Sequence, residues 1–216
     1  MDNSRPLLEA RSLHKSFENG PILADASLRL DAGSLALLSG PSGSGKTTFL
    51  RLIAGFEQPD AGRILLHGKP VEPCLSPRER GLAFAFQDNA LWPHKTVAGH
   101  LRFVLASQGL SKSERTHRID AALDVVELRD RETARPHELS GGEQQRLGIA
   151  RALVTHAPIL LLDEPFANLD ENRIQPILDE LKRRMDEEKT AVVLATHQTD
   201  AAQGMQAVEM PFPQQG

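Results

Sequence analysis

The feature that most constrains the fold is a glycine-rich segment of the pattern G-x-x-x-x-G-K-[ST]. It lies between an apolar segment, Ser34–Ser39, that predicts a strand, and Thr47–Ala54, which predicts a helix ending at Gly55. Glycines let backbone N–H groups converge on phosphate oxygens, and the helix N-terminus adds a partial positive charge. We therefore predict a phosphate-binding loop rather than a glycine-rich turn without a ligand. The residues expected to contact a nucleotide are Gly40, Pro41, Ser42, Gly43, Ser44, Gly45, Lys46, Thr47 and Thr48.

Two pairs of side chains carry the chemistry expected of this loop. Lys46 would neutralise the β- and γ-phosphates of a nucleotide, and Thr47 would place its hydroxyl on a Mg²⁺ ion that bridges them. Asp163 and Glu164 directly follow the apolar strand Ile159–Leu162, and open α/β sheets bind ligands at the carboxyl ends of such strands. Asp163 would hold the Mg²⁺ ion, and Glu164 would polarise the attacking water. The alternative is a pair of acids that begin a loop or cap the next helix.

The order of elements predicts an α/β fold. Short strands separated by turn signals are predicted in the N-terminal third, at 7–17, 26–30, 34–39 and 63–67. Apolar residues recur at helical spacing within Pro93–Arg135, which predicts a helical insertion. Helices and apolar strands then alternate from Glu143 to Thr196, as in a parallel sheet with crossover helices. The strands at 159–162 and 190–195 are apolar throughout, which predicts burial on both faces.

Composition and charge exclude several classes of protein. The chain has 216 residues, of which 40% are hydrophobic and 25% charged, so it can bury a core and is not disordered as a whole. Its 25 Lys and Arg against 29 Asp and Glu give 25 − 29 = −4, so we expect no nucleic-acid partner. Its apolar runs fall far short of the roughly 18 residues of a membrane span. The N-terminus predicts no secretory signal, and the single Cys74 excludes an internal disulfide.

A further segment reveals a family resemblance. Leu139-Ser140-Gly141-Gly142-Glu143-Gln144-Gln145, followed by Arg146, lies between the phosphate loop and the acidic strand. It resembles the signature sequence of ATP-binding cassette (ABC) ATPases, and the motifs from about Leu7 to His197 follow that family's order. The resemblance implies ATP and Mg²⁺ as cofactors and ATP hydrolysis as the activity. It also implies a P-loop NTPase core with a mainly parallel sheet, an N-terminal antiparallel β subdomain and an inserted α-helical subdomain.

The residues of the signature segment also predict a local structure without reference to any family. Ser140 and Glu143 fit a capping box that opens a helix reaching about Thr155. A capping box does not account for Gly141 and Gly142, which are poor helix formers. The resemblance implies that Ser140, Gly141, Gly142 and Glu143 close the ATP held by a second subunit, in a two-fold dimer.

The resemblance assigns roles to further residues. Gln87, after the apolar run Leu82–Phe86, is similar to the glutamine that contacts Mg²⁺ and the water. His197 is similar to the histidine that reaches the γ-phosphate, so Glu164, His197 and Gln87 form the expected catalytic set. Asp170 belongs to a segment that resembles the loop communicating across the dimer. Phe17 occupies the place of the aromatic ring that stacks on adenine, with a buried strand phenylalanine as the alternative.

The motifs predict one ABC ATPase domain over 1–216, with the ATP-binding core at 1–92 and 157–216 and the helical subdomain at 93–156. A single cassette without coiled-coil heptads or cysteine clusters favours a subunit that docks on a separate integral membrane protein. The segment Gln87–Val97 resembles that of importer ATPases, where it receives the membrane subunit. Trp92 is its natural anchor, or else an ordinary partly buried tryptophan. Import is therefore favoured, with the chain peripheral on the cytoplasmic face of the cell membrane and an extracytoplasmic solute-binding protein as a further partner.

Other functions share these motifs. An exporter or a lipid- or lipoprotein-releasing ATPase is an alternative, because fold-level resemblance does not fix direction. A non-transport ABC ATPase would instead switch binding to nucleic acid or the ribosome, which the net charge of −4 disfavours. A P-loop kinase would leave the signature segment unexplained.

Two segments depart from the family pattern. Pro176 would break the helix after Asp170 unless that helix begins near Ile174, which would place the proline in its first turn. The segment 203–216 does not match the usual closing segment, which puts the last strands of the fold in doubt.

Overall fold

The computed structural model describes residues 5–72, 74–197 and 205–212. The strands in these ranges are Leu8–Phe17 (β1), Gly20–Leu30 (β2), Leu35–Ser39 (β3), Ala61–Leu66 (β4), Lys69–Pro70 (β5), Leu82–Ala85 (β6), Ile159–Asp163 (β7), Ala191–Ala195 (β8) and Ala207–Pro211 (β9). The α-helices are Lys46–Ala54 (α1), Val97–Leu105 (α2), Lys112–Val125 (α3), Gly141–Leu153 (α4) and Glu171–Arg183 (α5). Short 3₁₀ turns lie at Arg129–Arg131 and Pro136–Glu138, and a π-helical turn at Arg184–Glu188 extends α5.

The N-terminal strands form an antiparallel sheet in the order β2-β1-β4-β5. A tight turn joins β1 to β2 and pairs Phe17 with Gly20. The sequence predicted the second strand only from Ala26, whereas β2 begins at Gly20. The pairing of β1 with β2 shifts register at several points, and such bulges interrupt the alternation of apolar and polar residues from which a strand is predicted.

The second sheet is wholly parallel, in the order β6-β7-β8-β3-β9. Every residue of β7 and β8 is buried, which confirms the prediction of strands covered on both faces. Helices α2, α3 and α4 follow β6 and precede β7, as the predicted helical insertion requires. The architecture confirms the α/β fold of a P-loop NTPase core with an added antiparallel sheet.

The doubt about the last strands was wrong for the part that is described. Strand β9 pairs in parallel with β3 from Leu35 to Ser39. Phe212, directly after β9, is buried and packs edge-to-face on Phe49, with 5.7 Å between ring centroids. Burial of this ring favours the strand despite the prolines around it. Residues 203–204 and 213–216 lie outside the described ranges.

The expectation for Pro176 was also wrong. Helix α5 begins at Glu171, after the N-cap Asp170, and contains Pro176 in its interior. An interior proline removes one helical hydrogen bond at a cost of about 3 kcal/mol. The same helix buries Ile174, Ile177 and Leu181 along one face, and burial of a large aliphatic side chain contributes about 1.5–3 kcal/mol. Packing therefore outweighs the local penalty.

None of the described helices is long and apolar enough to cross a membrane.

Candidate nucleotide site

The glycine-rich loop joins β3 to α1, as its sequence context predicts. Gly45, the N-cap of α1, has φ 102°, and a Cβ there would lie 2.9 Å from the backbone oxygen of Ile22, so the position favours glycine. No side chain of the described residues caps α1, and the buried hydroxyl of Ser44 has no hydrogen-bond partner among them. Unpaired N–H and O–H donors at a helix N-terminus suit phosphate oxygens. The loop therefore fits a nucleotide phosphate.

Lys46 lies inside this loop rather than in solvent. Its Nζ donates to the carbonyl oxygens of Gly40 at 2.7 Å and Pro41 at 3.0 Å. The same nitrogen lies 4.0 Å from Glu164 Oε1, and both side chains are largely buried. A buried ammonium held by carbonyl groups is well placed to exchange one of these contacts for a phosphate oxygen.

Thr47 and Asp163 meet although they are 116 positions apart in the chain, because β7 ends beside the start of α1. The Thr47 hydroxyl donates to Asp163 Oδ1 at 3.1 Å. Burial raises the pKa of Asp163; the hydrogen bond from Thr47 opposes this shift and the Glu164 carboxylate adds to it. A bound cation would favour the ionised carboxylate. One hydroxyl and one carboxylate, with phosphates and waters completing the shell, fit a Mg²⁺ ion.

Glu164 and His197 follow the neighbouring strands β7 and β8 and contact each other. His197 Nδ1 lies 2.9 Å from Glu164 Oε2, and the His197 backbone N–H donates to the same oxygen at 3.3 Å. The Glu164 side chain is buried, while that of His197 is 58% exposed. The structure therefore brings the two residues together at the carboxyl edge of the parallel sheet, with the carboxylate held on the inner side.

Gln87 and the phosphate loop line one cleft of about 190 Å³. Its lining residues are Ile22, Ser42, Gly43, Ser44, Gly45, Lys46, Thr47, Thr48, Gln87 and Glu164. The cleft thus brings together the Glu164 carboxylate as a candidate general base, the Lys46 ammonium group and the backbone N–H donors of the loop. Phe17 does not line it, but the ring is 48% exposed at the end of β1, so the buried-strand alternative is wrong. Its adenine-stacking role stays a prediction.

The signature residues lie elsewhere in the chain. Ser140, Gly141, Gly142, Glu143 and Asp170 are not among the residues that line the cleft. Ser140 caps α4 in the predicted capping box, with its Oγ donating to Glu143 Oε2 at 2.8 Å and accepting from Glu143 N at 3.3 Å. A Cβ on Gly142 would lie 3.3 Å from the carbonyl oxygen of Asn168, so the signature packs against the segment that contains Asp170.

Two side chains of α4, Gln145 and Arg151, make contacts near the cleft that the sequence did not predict. The amide of Gln145 reaches the carbonyl oxygens of Glu164 and Pro165. Arg151 Nη1 donates to the carbonyl oxygens of Asn89 and Ala90, each at 2.8 Å, just beyond Gln87. Gln145 shares helical spacing with the buried Ile149 and Leu153. A polar residue on an apolar helix face is a signal that could have identified it.

An apolar groove of about 670 Å³ lies beside the segment that follows Gln87. The rings of Phe56, Phe84 and Phe86 pack together in it, with 4.5 Å between the centroids of the last two. Trp92 also lines the groove; its ring stacks on His100, and the Arg151 guanidinium lies 4.5 Å from the centroid of the ring. Phe56 is 46% exposed, so the groove presents an open apolar surface.

Comparison with known proteins identifies the family of this chain. A family model described as ABC transporter matches residues 23–167. The spermidine/putrescine import ATP-binding protein PotA of Legionella pneumophila (strain Paris) is 40% identical over 200 residues, which cover 93% of this chain and 55% of the relative. The Fe(3+) ions import ATP-binding protein FbpC of Pseudomonas fluorescens is 43% identical over 194 residues, covering 88% of this chain and 54% of the relative. The chain thus spans about half the length of the curated relatives it matches.

Solved structures share the fold over most of the chain. A dimeric post-hydrolysis state of the ATP-binding cassette MJ0796, bound to ADP and Pi, has a TM-score of 0.81 and 30% identity, and the match covers 90% of each chain. An ATP-binding subunit of an ABC transporter has a TM-score of 0.85 and 27% identity, covering 95% of this chain and 85% of that one. The sequence match and the fold agree with the cleft geometry, and the chain belongs to the ABC transporter family.

Proposed function

We propose that this chain binds and hydrolyses ATP to power solute transport through a separate membrane protein. One observation carries the proposal: Lys46, Thr47, Asp163 and Glu164, distant in sequence, converge at the start of α1 with Gln87. The names of the relatives support import. The solute itself would be chosen by the membrane partner and by an extracytoplasmic solute-binding protein.

The residues of the cleft divide the work of hydrolysis. The backbone of Gly40–Thr48 would bind the phosphates, with Lys46 as the neutralising cation. Thr47, Asp163 and Gln87 would hold Mg²⁺, which when bound offsets the negative charge of the β- and γ-phosphates. Glu164 would accept a proton from the attacking water. His197 orients the Glu164 carboxylate and would reach toward the γ-phosphate.

A second copy, or a homologous cassette, would complete the site. Ser140, Gly141, Gly142 and Glu143 form a helix N-terminus that the chain's own cleft does not use, and Asp170 lies in the segment packed beside it. A two-fold arrangement would bring this surface to the nucleotide of the partner and sandwich ATP between the subunits. Phe17, which is exposed at the end of β1, would stack on adenine.

The membrane partner would dock in the apolar groove. The groove lies directly after Gln87, so a segment seated there contacts both Trp92 and the strand end that leads into the cleft. The chain would then be peripheral on the cytoplasmic face of the membrane. In this proposal, 93–156 is a helical subdomain that carries the signature, and 1–92 with 157–216 is the ATP-binding core of one domain. An exporter, or a switch acting on nucleic acid or the ribosome, remains the competing function.

The test uses the tagged Glu164→Gln variant. We expect it to keep ATP binding and to lose turnover by about 10²- to 10⁴-fold, because the water loses its base. Trapped with ATP and Mg²⁺ in detergent-solubilised membranes, it should copurify with a multi-spanning protein, and Lys46→Ala is the control that should not be trapped. Copurification with ribosomes or nucleic-acid proteins would support the switch instead, and unchanged turnover would remove Glu164 from the role of base.

A further inference from the structure

Gln145 is a buried residue in the second turn of α4. We propose that Gln145 is a positioning residue for hydrolysis: its side-chain amide fixes the turn that carries the Glu164 carboxylate. The inference rests on the proposed role of Glu164 as the base, and it adds a residue outside the cleft on which that role depends.

The turn at Glu164 is conformationally demanding. Glu164 has φ 47°, in the left-handed region that non-glycine residues rarely adopt. It also precedes Pro165, and a residue before proline favours extended conformations with negative φ. Such a conformation persists only where the surroundings over-determine it, so other groups must hold this backbone.

Gln145 supplies part of that restraint. Its Nε2 donates to the carbonyl oxygens of Glu164 and Pro165, each at 3.1 Å, and both contacts are buried. Pro165 has no N–H with which to stabilise the turn. The Ala167 amide adds a longer bond of 3.3 Å to the Glu164 carbonyl, and Glu164 N donates to Ala195 O at 2.8 Å. The two hydrogens of a single amide thus join two consecutive peptide groups of the turn.

The restraint matters because the carboxylate extends from that turn. Glu164 Oε2 lies 2.9 Å from His197 Nδ1, and Oε1 lies 4.0 Å from Lys46 Nζ. A rotation of the Glu164 backbone would move both oxygens away from these partners, and a base misplaced by about 1 Å can cost about 10²-fold in rate. Gln145 also lies on the helix that begins at Ser140. The helix that would meet the second subunit's ATP therefore holds the base of its own site.

The experiment is a double-mutant cycle on ATP turnover with Gln145→Met and Glu164→Gln. Methionine keeps the length of the side chain and removes both donors. We expect Gln145→Met to lower kcat by about 10- to 100-fold, with the Kd for ATP within about twofold of the original chain. In the Glu164→Gln background the same change should lower the residual rate by less than about twofold, because no base remains to be positioned. Gln108→Met is the matched control. The side-chain amide of Gln108 also donates a hydrogen bond to a carbonyl oxygen, that of Thr155, but it lies outside the nucleotide cleft.

The outcomes separate the two proposals. If Glu164→Gln keeps full turnover, the role of Glu164 fails first. If Glu164→Gln is inactive while Gln145→Met matches Gln108→Met, only the positioning role is overturned. Equal rate losses in both backgrounds, or loss of ATP binding with Gln145→Met, would assign Gln145 a structural role instead. Should Gln145→Met fail to fold, the isosteric Gln145→Glu is judged by the same criteria, and loss of ATP binding in that variant as well overturns the proposal.

Discussion

Two helix N-termini in this chain have glycines at the N-cap or in the first turn, and they differ in what satisfies their N–H groups. At α1 the N-cap is Gly45, and no side chain of the described residues caps the helix. At α4 the N-cap is Ser140, and a full capping box with Glu143 occupies the first turn. The first end is open to a ligand within its own chain, whereas the second is already closed by its own side chains.

In the proposed function the two helix ends would serve different tasks. The open end of α1 gains its missing partners only when an anion binds, so it suits tight binding of the triphosphate. The capped end of α4 is stabilised by its own side chains without a ligand, and in the proposed dimer it would contact the ATP of a second subunit. We expect substitutions at α1 to abolish binding, and substitutions at α4 to leave binding and impair a later step.

The largest expected effect is at α1. Lys46→Ala should weaken ATP binding by 100-fold or more, because hydrogen bonds made by a charged group contribute about 1.5–3 kcal/mol each and this ammonium would contact two phosphates. Isothermal titration with a slowly hydrolysed ATP analogue measures it. Lys112→Ala, an exposed lysine at the start of α3, is the control and should bind normally. Near-normal affinity of Lys46→Ala would contradict the site.

A smaller, selective effect is expected at α4. Ser140→Ala should leave ATP binding by a single chain intact, lower steady-state turnover, and cost about 1 kcal/mol of unfolding free energy through loss of the cap. Ser111→Ala is a closely matched control, because Ser111 forms the same capping box with Glu114 at the start of α3. We expect both variants to lose a similar amount of stability and only Ser140→Ala to lose turnover, which would separate the capping role of Ser140 from its role in turnover. Equal turnover in the two variants would argue against a role of Ser140 in turnover.

The smallest effect is a titration. Hydrogen bonds from the Ser140 backbone and side chain lower the pKa of Glu143, and Arg131 adds to the shift. A lowered pKa in the folded state means that this contribution to stability is present above the ordinary glutamate value of 4.5 and is lost as the pH falls through the lowered pKa. Ser140→Ala removes the side-chain bond but keeps the backbone bond, so the pKa of Glu143 should rise only part of the way toward 4.5, as followed by carboxyl NMR. A pKa of Glu143 that is the same in Ser140→Ala and in the original chain would contradict the side-chain contact.

The open and capped ends also show what the sequence could predict. Both were predicted, because the phosphate-loop pattern and the Ser140–Glu143 spacing depend on local backbone chemistry that operates within a few residues. The burial of β7 and β8 was predicted for a similar reason, since a continuous apolar run leaves no solvent-facing side.

The predictions that failed depend on distant partners. Pro176 was expected to break a helix, but the packing of Ile174, Ile177 and Leu181 overrides local propensity. Strand β9 is stabilised by pairing with the edge of β3 and by the packing of Phe212 on Phe49. The sequence marks Gln145 only as a polar residue on an apolar helix face, because its hydrogen-bond partners, the carbonyl oxygens of Glu164 and Pro165, are brought to it by the fold.

The central claim is that the open end of one chain and the capped end of another meet on the same ATP. A complementation assay tests it most directly: Lys46→Ala protein, with an intact signature, is mixed with Ser140→Arg protein, with an intact phosphate loop. Neither variant alone should hydrolyse ATP, whereas the mixture should recover turnover, because one of the two sites in the mixed dimer is then complete. A mixture no more active than the sum of its components, although both variants fold and Ser140→Arg binds ATP, would contradict the claim.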